Sequence, residues 1–270
     1  MAKKALLIGL NYQDTAYELK GCINDINAMK DYMIANFMYL DSNIMCLYDN
    51  QDDKLATKQN IIDKMKWLAK DIKKGDSLVL YVSSHGEQMT DANNDEIDGQ
   101  DEAIVCMNNE KLSDDEIWSN LISKIPAGVL LSCFFDCCHS GTIADLKYSF
   151  QYSPNVSDKN LVYNMTIDKS AEVKGNVICY SGCYDPDTSA DGSFDGKIIT
   201  LPNGKKEFVW GAHRGAFSYY LLQTLQECNN KIEYPDLLKA VYLKLASNGY
   251  TQKPQFSCSK SQLFTGKFAL

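Results

Sequence analysis

One arginine, Arg214, three histidines and six prolines are all that a chain of 270 residues contains of these types, and each scarcity removes a class of function. The basic side is otherwise lysine. With 27 Lys and Arg against 35 Asp and Glu, the net charge is −8. Nucleic acids and anionic membranes require a basic footprint that this balance denies, whereas a cationic partner or substrate suits it. A lone guanidinium cannot supply the several converging forks that grip a carboxylate side chain. Apolar runs such as Leu78–Val82 and Gly128–Leu131 are far too short to cross a bilayer. The opening Met1-Ala2-Lys3-Lys4 and the apolar stretch Ala5–Leu10 imitate a signal peptide. However, Asn11, Gln13 and Asp14 follow at once without a small-residue cleavage site, so the run is expected to be a first strand. Without export, the ten cysteines are expected to be reduced thiols in a cytoplasmic setting rather than a disulfide framework.

What is present is an alternation of short apolar runs with helical patterns. This is the signature of an α/β fold with a mostly parallel central sheet flanked by helices. Strands are expected at Lys4–Leu10, Asn43–Tyr48, Ser77–Val82, Ala103–Met107, Gly128–Phe135 and Asn176–Tyr180. Ile23, Ile26, Met29, Met33 and Phe37 recur at helical spacing, as do Ile61, Ile62, Met65 and Leu68, and both sets predict crossover helices. Asp114, Asp115 and Glu116 place negative charge at the start of another helix, which Pro126 ends. Two helices over Gly215–Cys228 and Pro235–Ser247 close the chain. The stretches Thr142–Gly175 and Asp185–Phe208 are weakly patterned and predict long loops. With no internal repeat and no boundary, residues 1–270 are expected to form one domain.

With three histidines the candidate bases can be enumerated. His85 follows a strand in Tyr81-Val82-Ser83-Ser84-His85-Gly86, and a second motif, Phe134-Phe135-Asp136-Cys137-Cys138-His139-Ser140-Gly141, also comes straight off a strand. In open α/β sheets the crevice beyond the carboxyl ends of the strands binds ligands, so two such tips can face each other there. A thiol meeting an imidazole forms a nucleophile and base suited to peptide hydrolysis. A zinc site from Cys133, Cys137, Cys138 and His139, with or without His85, is the alternative, disfavoured because adjacent residues rarely chelate one tetrahedral ion. Redox use fits poorly without a Cys-x-x-Cys spacing. The acidic run Asp91, Asn93, Asp95, Glu96, Asp98, Asp101, Glu102 imitates an EF-hand loop, but Glu96 stands where the turn requires glycine.

Ser83-Ser84-His85-Gly86 and Asp136-Cys137-Cys138-His139-Ser140-Gly141 resemble the catalytic His and Cys blocks of metacaspases. Gly21-Cys22-Ile23-Asn24-Asp25, Ser181-Gly182-Cys183-Tyr184-Asp185, Thr188-Ser189-Ala190-Asp191, Gly215-Ala216-Phe217 and Gln252-Lys253-Pro254-Gln255 resemble further blocks of that family, in order. The resemblance implies a caspase-like fold, a type I-like member without a large N-terminal prodomain, and a calcium-stimulated cysteine endopeptidase cutting after Lys or Arg. It implies Cys138 as nucleophile, His85 as general base, and the backbone N–H groups of Gly86 and Cys138 as the oxyanion hole. Cys137, where many members carry serine, is the competing thiol. Asp25, Asp136, Cys22 and Ser83 would line the pocket for the basic side chain, and Asp101, Asp114, Asp115 and Asp145 would bind Ca2+, with Asp98 as the substitute for Asp101. Protein or peptide substrates, a monomeric state and self-cleavage at Lys147, Lys159, Lys169 or Lys174 complete the expectation. A catalytically silent peptide-binding scaffold of the same fold is the alternative, and the intact pair Cys138 and His85 speaks against it.

Overall fold

The computed structural model describes residues 1–50, 55–90, 99–154, 161–165, 173–183, 190–194, 197–200, 206–209 and 211–270. In chain order the elements are β1 (Lys3–Gly9), α1 (Cys22–Phe37), β2 (Ile44–Tyr48), α2 (Lys58–Leu68), β3 (Ser77–Ser83), β4 (Gly86–Thr90), β5 (Gln100–Val105), β6 (Lys111–Ser113), α3 (Asp114–Asn120) and β7 (Leu130–Asp136). There follow β8 (Tyr148–Tyr152), β9 (Leu161–Met165), β10 (Asn176–Ser181), β11 (Asp191–Ser193), β12 (Lys197–Thr200), β13 (Lys206–Val209), β14 (His213–Gly215), α4 (Ala216–Glu227), α5 (Tyr234–Ser247) and β15 (Gln255–Cys258).

One sheet of eight strands runs in the order β2-β1-β3-β7-β10-β15-β8-β9. The first five are mutually parallel, and β15, β8 and β9 extend the sheet by antiparallel pairing. The central strands are apolar on both faces, as expected of strands covered twice. Ala5, Leu7, Val79, Tyr81, Phe134 and Tyr180 face one hydrophobic cluster, which takes in Ile26, Met29 and Met33 of α1 with Phe217, Leu221, Leu238 and Val241 of α4 and α5. Leu6, Ile8, Leu78, Leu80, Val82, Cys133 and Phe135 face the other, with Ile61, Met65 and Leu68 of α2 and Ile117 of α3. The period-2 alternation along each strand feeds both cores at once. Burying each large apolar side chain contributes about 1.5–3 kcal/mol, so a truncation such as Leu7→Ala is expected to cost about 2–5 kcal/mol.

Local signals set the helix starts. Thr57 Oγ1 accepts the Asn60 amide at 3.3 Å ahead of α2, and Ser113 with Glu116 forms a reciprocal capping box ahead of α3. Three expectations need correction. The strand expected near Ala103 does not join the main sheet: β5 lies between β4 and β6 in a separate antiparallel sheet. The stretch Thr142–Gly175 is not simply a loop, because β8 and β9 within it form the far edge of the main sheet. Asp185–Phe208 likewise contains β11 and β12 and most of β13, paired as short ribbons. Antiparallel edge strands need only a few alternating residues, which leaves little periodicity to read.

Candidate active site

The central strands β3 and β7 are parallel neighbours, in register from Ser77↔Leu130 to Ser83↔Asp136. His85 stands two residues beyond the end of one and Cys138 two residues beyond the end of the other, so the pairing itself brings them to the same rim. Both line a small cleft of about 70 Å³ together with Leu19, Cys22, Ser83, Ser84, Asp136, Ala190 and Gly215. The backbones approach closely here. A Cβ on Gly86 would fall 2.0 Å from the carbonyl oxygen of Cys138, so only glycine allows β4 to leave the rim at this point.

His85 is held from three directions. Its backbone N–H donates to Tyr12 Oη at 3.0 Å, the Tyr12 ring lies 4.8 Å from the imidazole between centroids, and Nε2 is 2.7 Å from the carbonyl oxygen of Tyr17. A carbonyl only accepts, so Nε2 carries the proton of the neutral ring and Nδ1 keeps its lone pair. Tyr12 is itself anchored, its hydroxyl donating to Val105 O at 2.6 Å and its amide to Asp49.

The two adjacent thiols differ sharply. Cys137 is fully buried, and desolvation pushes its thiol well above the ordinary value; Cys138 is half-buried and lines the cleft. The carbonyl of Cys137 accepts from Ser140 Oγ at 2.9 Å and from Cys183 Sγ at 2.9 Å, and His139 takes a left-handed backbone, φ 49°. Together these contacts shape the turn that follows Cys138. Burial also raises the Cys183 thiol, to about 12.

Behind the cleft lie two carboxylates. Asp136 Oδ2 accepts the Ser218 amide at 2.9 Å and its hydroxyl at 2.6 Å. Asp25, wholly buried, accepts Ser83 Oγ at 3.0 Å, the Gly215 amide at 2.9 Å and Arg214 Nε at 3.1 Å. A Cβ on Gly215 would meet Asp136 Oδ2 at 2.1 Å and Asp25 Oδ2 at 2.9 Å, so the two acids flank that glycine. Burial first, and then the neighbouring Asp136, raise the Asp25 carboxyl well above the usual range, while Arg214 opposes them. Cys22, Ser83 and Asp136 line the cleft; Asp25 stands one layer behind, reached through Ser83 and Gly215. The roles of Ser218 and Arg214 here were not read from the sequence, although a lone arginine next to Gly215-Ala216-Phe217 was a signal.

A third grouping lies in the sheet of β4, β5 and β6. Asp101, Asp114 and Asp115 offer carboxylate oxygens within 4.8 Å of one another, and the first two are buried. Asp114 accepts the Glu102 amide at 2.9 Å and the Asp115 amide at 2.6 Å. Hard oxygen donors held close together and partly buried fit a calcium ion. Asp145 does not belong to this mutually close set. Glu102, read before only as part of an acidic run, is buried and accepts the Thr142 hydroxyl. That bond ties the segment following Cys138 to the acidic sheet. Asp98, Lys159, Lys169 and the family-like residues Tyr184, Asp185, Thr188 and Ser189 lie outside the described residues, as does most of the acidic run, 91–98.

A thiol and an imidazole at the carboxyl rim of a parallel sheet form the working pair of one class of cysteine peptidase. A family model described as "Metacaspase, peptidase C14 domain" matches residues 3–147. Metacaspase-1 of Schizosaccharomyces pombe is 31% identical over 302 residues, covering 95% of this chain and 67% of that protein. Metacaspase-1 of Scheffersomyces stipitis is 32% identical over 304 residues, covering 96% and 71%. The crystal structure of protein GSU0716 from Geobacter sulfurreducens shares the fold with a TM-score of 0.65 at 23% identity, over 99% of this chain and 98% of that one. The chain belongs to the metacaspase family and is a cysteine peptidase, a hydrolase of peptide bonds. Its substrates are proteins or peptides. Among the described residues no helix is long and apolar enough to cross a membrane.

Proposed function

We propose that the protein is a calcium-stimulated endopeptidase that cuts after Lys or Arg, with Cys138 as nucleophile and His85 as base. The observation that carries the substrate reading is the wall of the cleft beside Cys138, where Asp136 and Ser83 face inward and Asp25 stands behind them. A lysine or arginine side chain placed there meets carboxylate charge in a poorly solvated setting, where pairing is strong and geometry decides. An aspartate side chain meets like charge.

In the proposed reaction, Nδ1 of His85 takes the Cys138 proton and the thiolate attacks the scissile carbonyl carbon. The tetrahedral oxyanion is received by backbone N–H groups of Gly86 and Cys138. The carbon–nitrogen bond then breaks as the imidazolium gives its proton to the leaving amine. Water, deprotonated by the same imidazole, hydrolyses the thioester and restores the thiol. Tyr17 O holds the ring in the tautomer this cycle needs. Full burial makes Cys137 a poor nucleophile, which favours Cys138.

For calcium, Asp101, Asp114 and Asp115 are the proposed holders, with Asp145 contributing from the segment after Cys138. The ion would neutralise carboxylates that otherwise repel one another. The Glu102–Thr142 hydrogen bond offers a path from that site to the nucleophile's turn. An enzyme with this preference has targets in its own exposed Lys147 and Lys174, and self-processing at one or both is part of the proposal.

The test compares peptides ending in Arg, Lys, Asp and Leu, with calcium or chelator, on wild type and Cys138→Ala. Cleavage after Arg and Lys alone, stimulated by calcium and absent from Cys138→Ala, is expected. Equal rates on Asp or Leu peptides would refute the pocket, and full activity in excess chelator would remove the calcium requirement.

A further inference from the structure

The chain's single arginine sits against the acid behind the cleft. Arg214 comes from β14, 189 positions along the chain from Asp25, and its Nε lies 3.1 Å from Asp25 Oδ1. Its side chain is 13% exposed and that of Asp25 is 0% exposed, so the pair is largely withdrawn from water. The guanidinium does not line the cleft. It borders a separate cavity of about 310 Å³ between α1 and α4, walled also by Ala28, Tyr219, Leu222, Gln223 and Gln226. Tyr219 places its ring centroid 5.7 Å from the guanidinium carbon. The cation therefore holds Asp25 through Oδ1, while Ser83 and Gly215, which line the cleft, hold Oδ2.

We infer that Arg214 is a positioning residue for the substrate pocket: from behind, it holds the Asp25 carboxyl group aimed at Ser83 and Gly215, so that the wall a Lys or Arg side chain meets is fixed over a second acid. The inference rests on the proposed Lys/Arg preference. Two buried acids flanking one glycine repel each other, and neither has bulk water to spread its charge. The charged or titratable groups facing Asp25 are Asp136 from β7, Arg214 from β14 and Tyr81 from β3; Tyr81 stays neutral, its phenol raised by burial. Arg214 is the one cation among them. Without it, burial and Asp136 raise the Asp25 carboxyl with no cation to oppose them. The carboxyl group then loses its anchor on Oδ1, and Ser83 Oγ and the Gly215 amide lose the fixed acceptor that orients them.

The experiment measures kcat and KM on an Arg peptide between pH 6 and 9 for wild type, Arg214→Gln, Arg214→Lys, Asp25→Asn and the double variant Arg214→Gln/Asp25→Asn, with thermal melts for each. Arg214→Gln is expected to raise KM about tenfold at neutral pH with kcat nearly unchanged, one lost pairing being worth about a factor of ten. Its KM should fall as the pH rises along a profile displaced to higher pH than that of wild type, because Arg214 is the cation that lowers the Asp25 carboxyl. Arg214→Lys, which keeps the charge, should remain within about threefold of wild type. In the Asp25→Asn background Arg214→Gln should add nothing to KM, because it acts through that carboxylate. An equal KM penalty in both backgrounds, a loss of kcat alone, or a KM profile in Arg214→Gln that is not displaced to higher pH would overturn the inference. If Arg214→Gln does not fold, Arg214→Lys decides: a tenfold rise in KM overturns it. Wild type without any preference for basic over neutral side chains would overturn the pocket reading and this inference together, whereas an intact preference unaffected by Arg214→Gln overturns this inference alone.

Discussion

Replacing Gly86 by alanine adds one methyl group at the most crowded point of the rim. That carbon would lie 2.0 Å from the carbonyl oxygen of Cys138 and 3.1 Å from its carbonyl carbon. The obstacle is backbone, which cannot rotate aside as a side-chain tip would. The Cys138 peptide must therefore retreat by roughly 1 Å, and a misplacement of that size at reacting groups costs on the order of a hundredfold in turnover. The same crowding is expected to destabilise the fold by about 1–3 kcal/mol, lowering Tm by about 2–12 °C in a chain of this size. The assay is kcat on an Arg peptide alongside a thermal melt, at a temperature where the variant is fully folded. A folded Gly86→Ala with kcat within about threefold of wild type would refute the reasoning. It would mean that the distance between β4 and the nucleophile's peptide does not govern the chemistry.

Thiol accessibility gives a second measurement: a chromogenic disulfide reagent at pH 8 is expected to react quickly with only the two half-buried thiols, Cys138 and Cys228, and with all ten after denaturation; rapid modification of Cys137 would reverse the nucleophile assignment. Alkaline pH should unfold the protein, because Cys106, Cys179, Cys183 and Cys258 are raised to about 12 by burial. Their stabilising contribution is full below the unfolded thiol pKa and is lost as pH climbs towards the folded value, at about 1.4 kcal/mol per pH unit for each; a urea midpoint constant from pH 8 to 11 would contradict this. Finally, Asp114→Asn and Glu102→Gln should both weaken calcium stimulation of activity, the first by raising the calcium concentration needed, the second by lowering the response at saturation. A normal calcium titration in both variants would dismiss the acidic sheet as the site.

The parts of the molecule legible in the sequence are those where one element suffices. Leu78–Val82 and the run before Asp136 read as doubly covered strands because every residue but Ser132 is apolar, and His85 and Cys138 follow as the tips beyond them. β8 and β15 were missed because Tyr148–Tyr152 and Gln255–Cys258 mix serine, glutamine and aromatics, a pattern a half-covered strand shares with a loop. Membership of a sheet is another matter, since Ala103–Val105 is as apolar as any central strand yet pairs with β4 and β6. Its partners, not its own period, decide where it goes. The pairing of Arg214 with Asp25 spans most of the chain and leaves no local pattern to detect. The scarcity of arginine set that residue apart without indicating its partner.

The far half of the sheet is tied to the near half by contacts other than the chain itself. Lys147 lies between the turn after Cys138 and β8, and a cut there would leave β1 to β7 on one fragment and β8 to β15 on the other. The fragments would still share one sheet: β7 and β10 pair over six positions, and Phe134 stacks on Tyr180 with ring centroids 6.0 Å apart. Gln255 of the later fragment donates to the carbonyl of Gly141 at 2.6 Å. Cys138 and His85 would then belong to one polypeptide, and Ala190, Arg214 and Ser218 to another. The cleft would become a subunit interface in all but origin, stable on a sizing column, divided on a denaturing gel, and subject for the first time to the law of mass action.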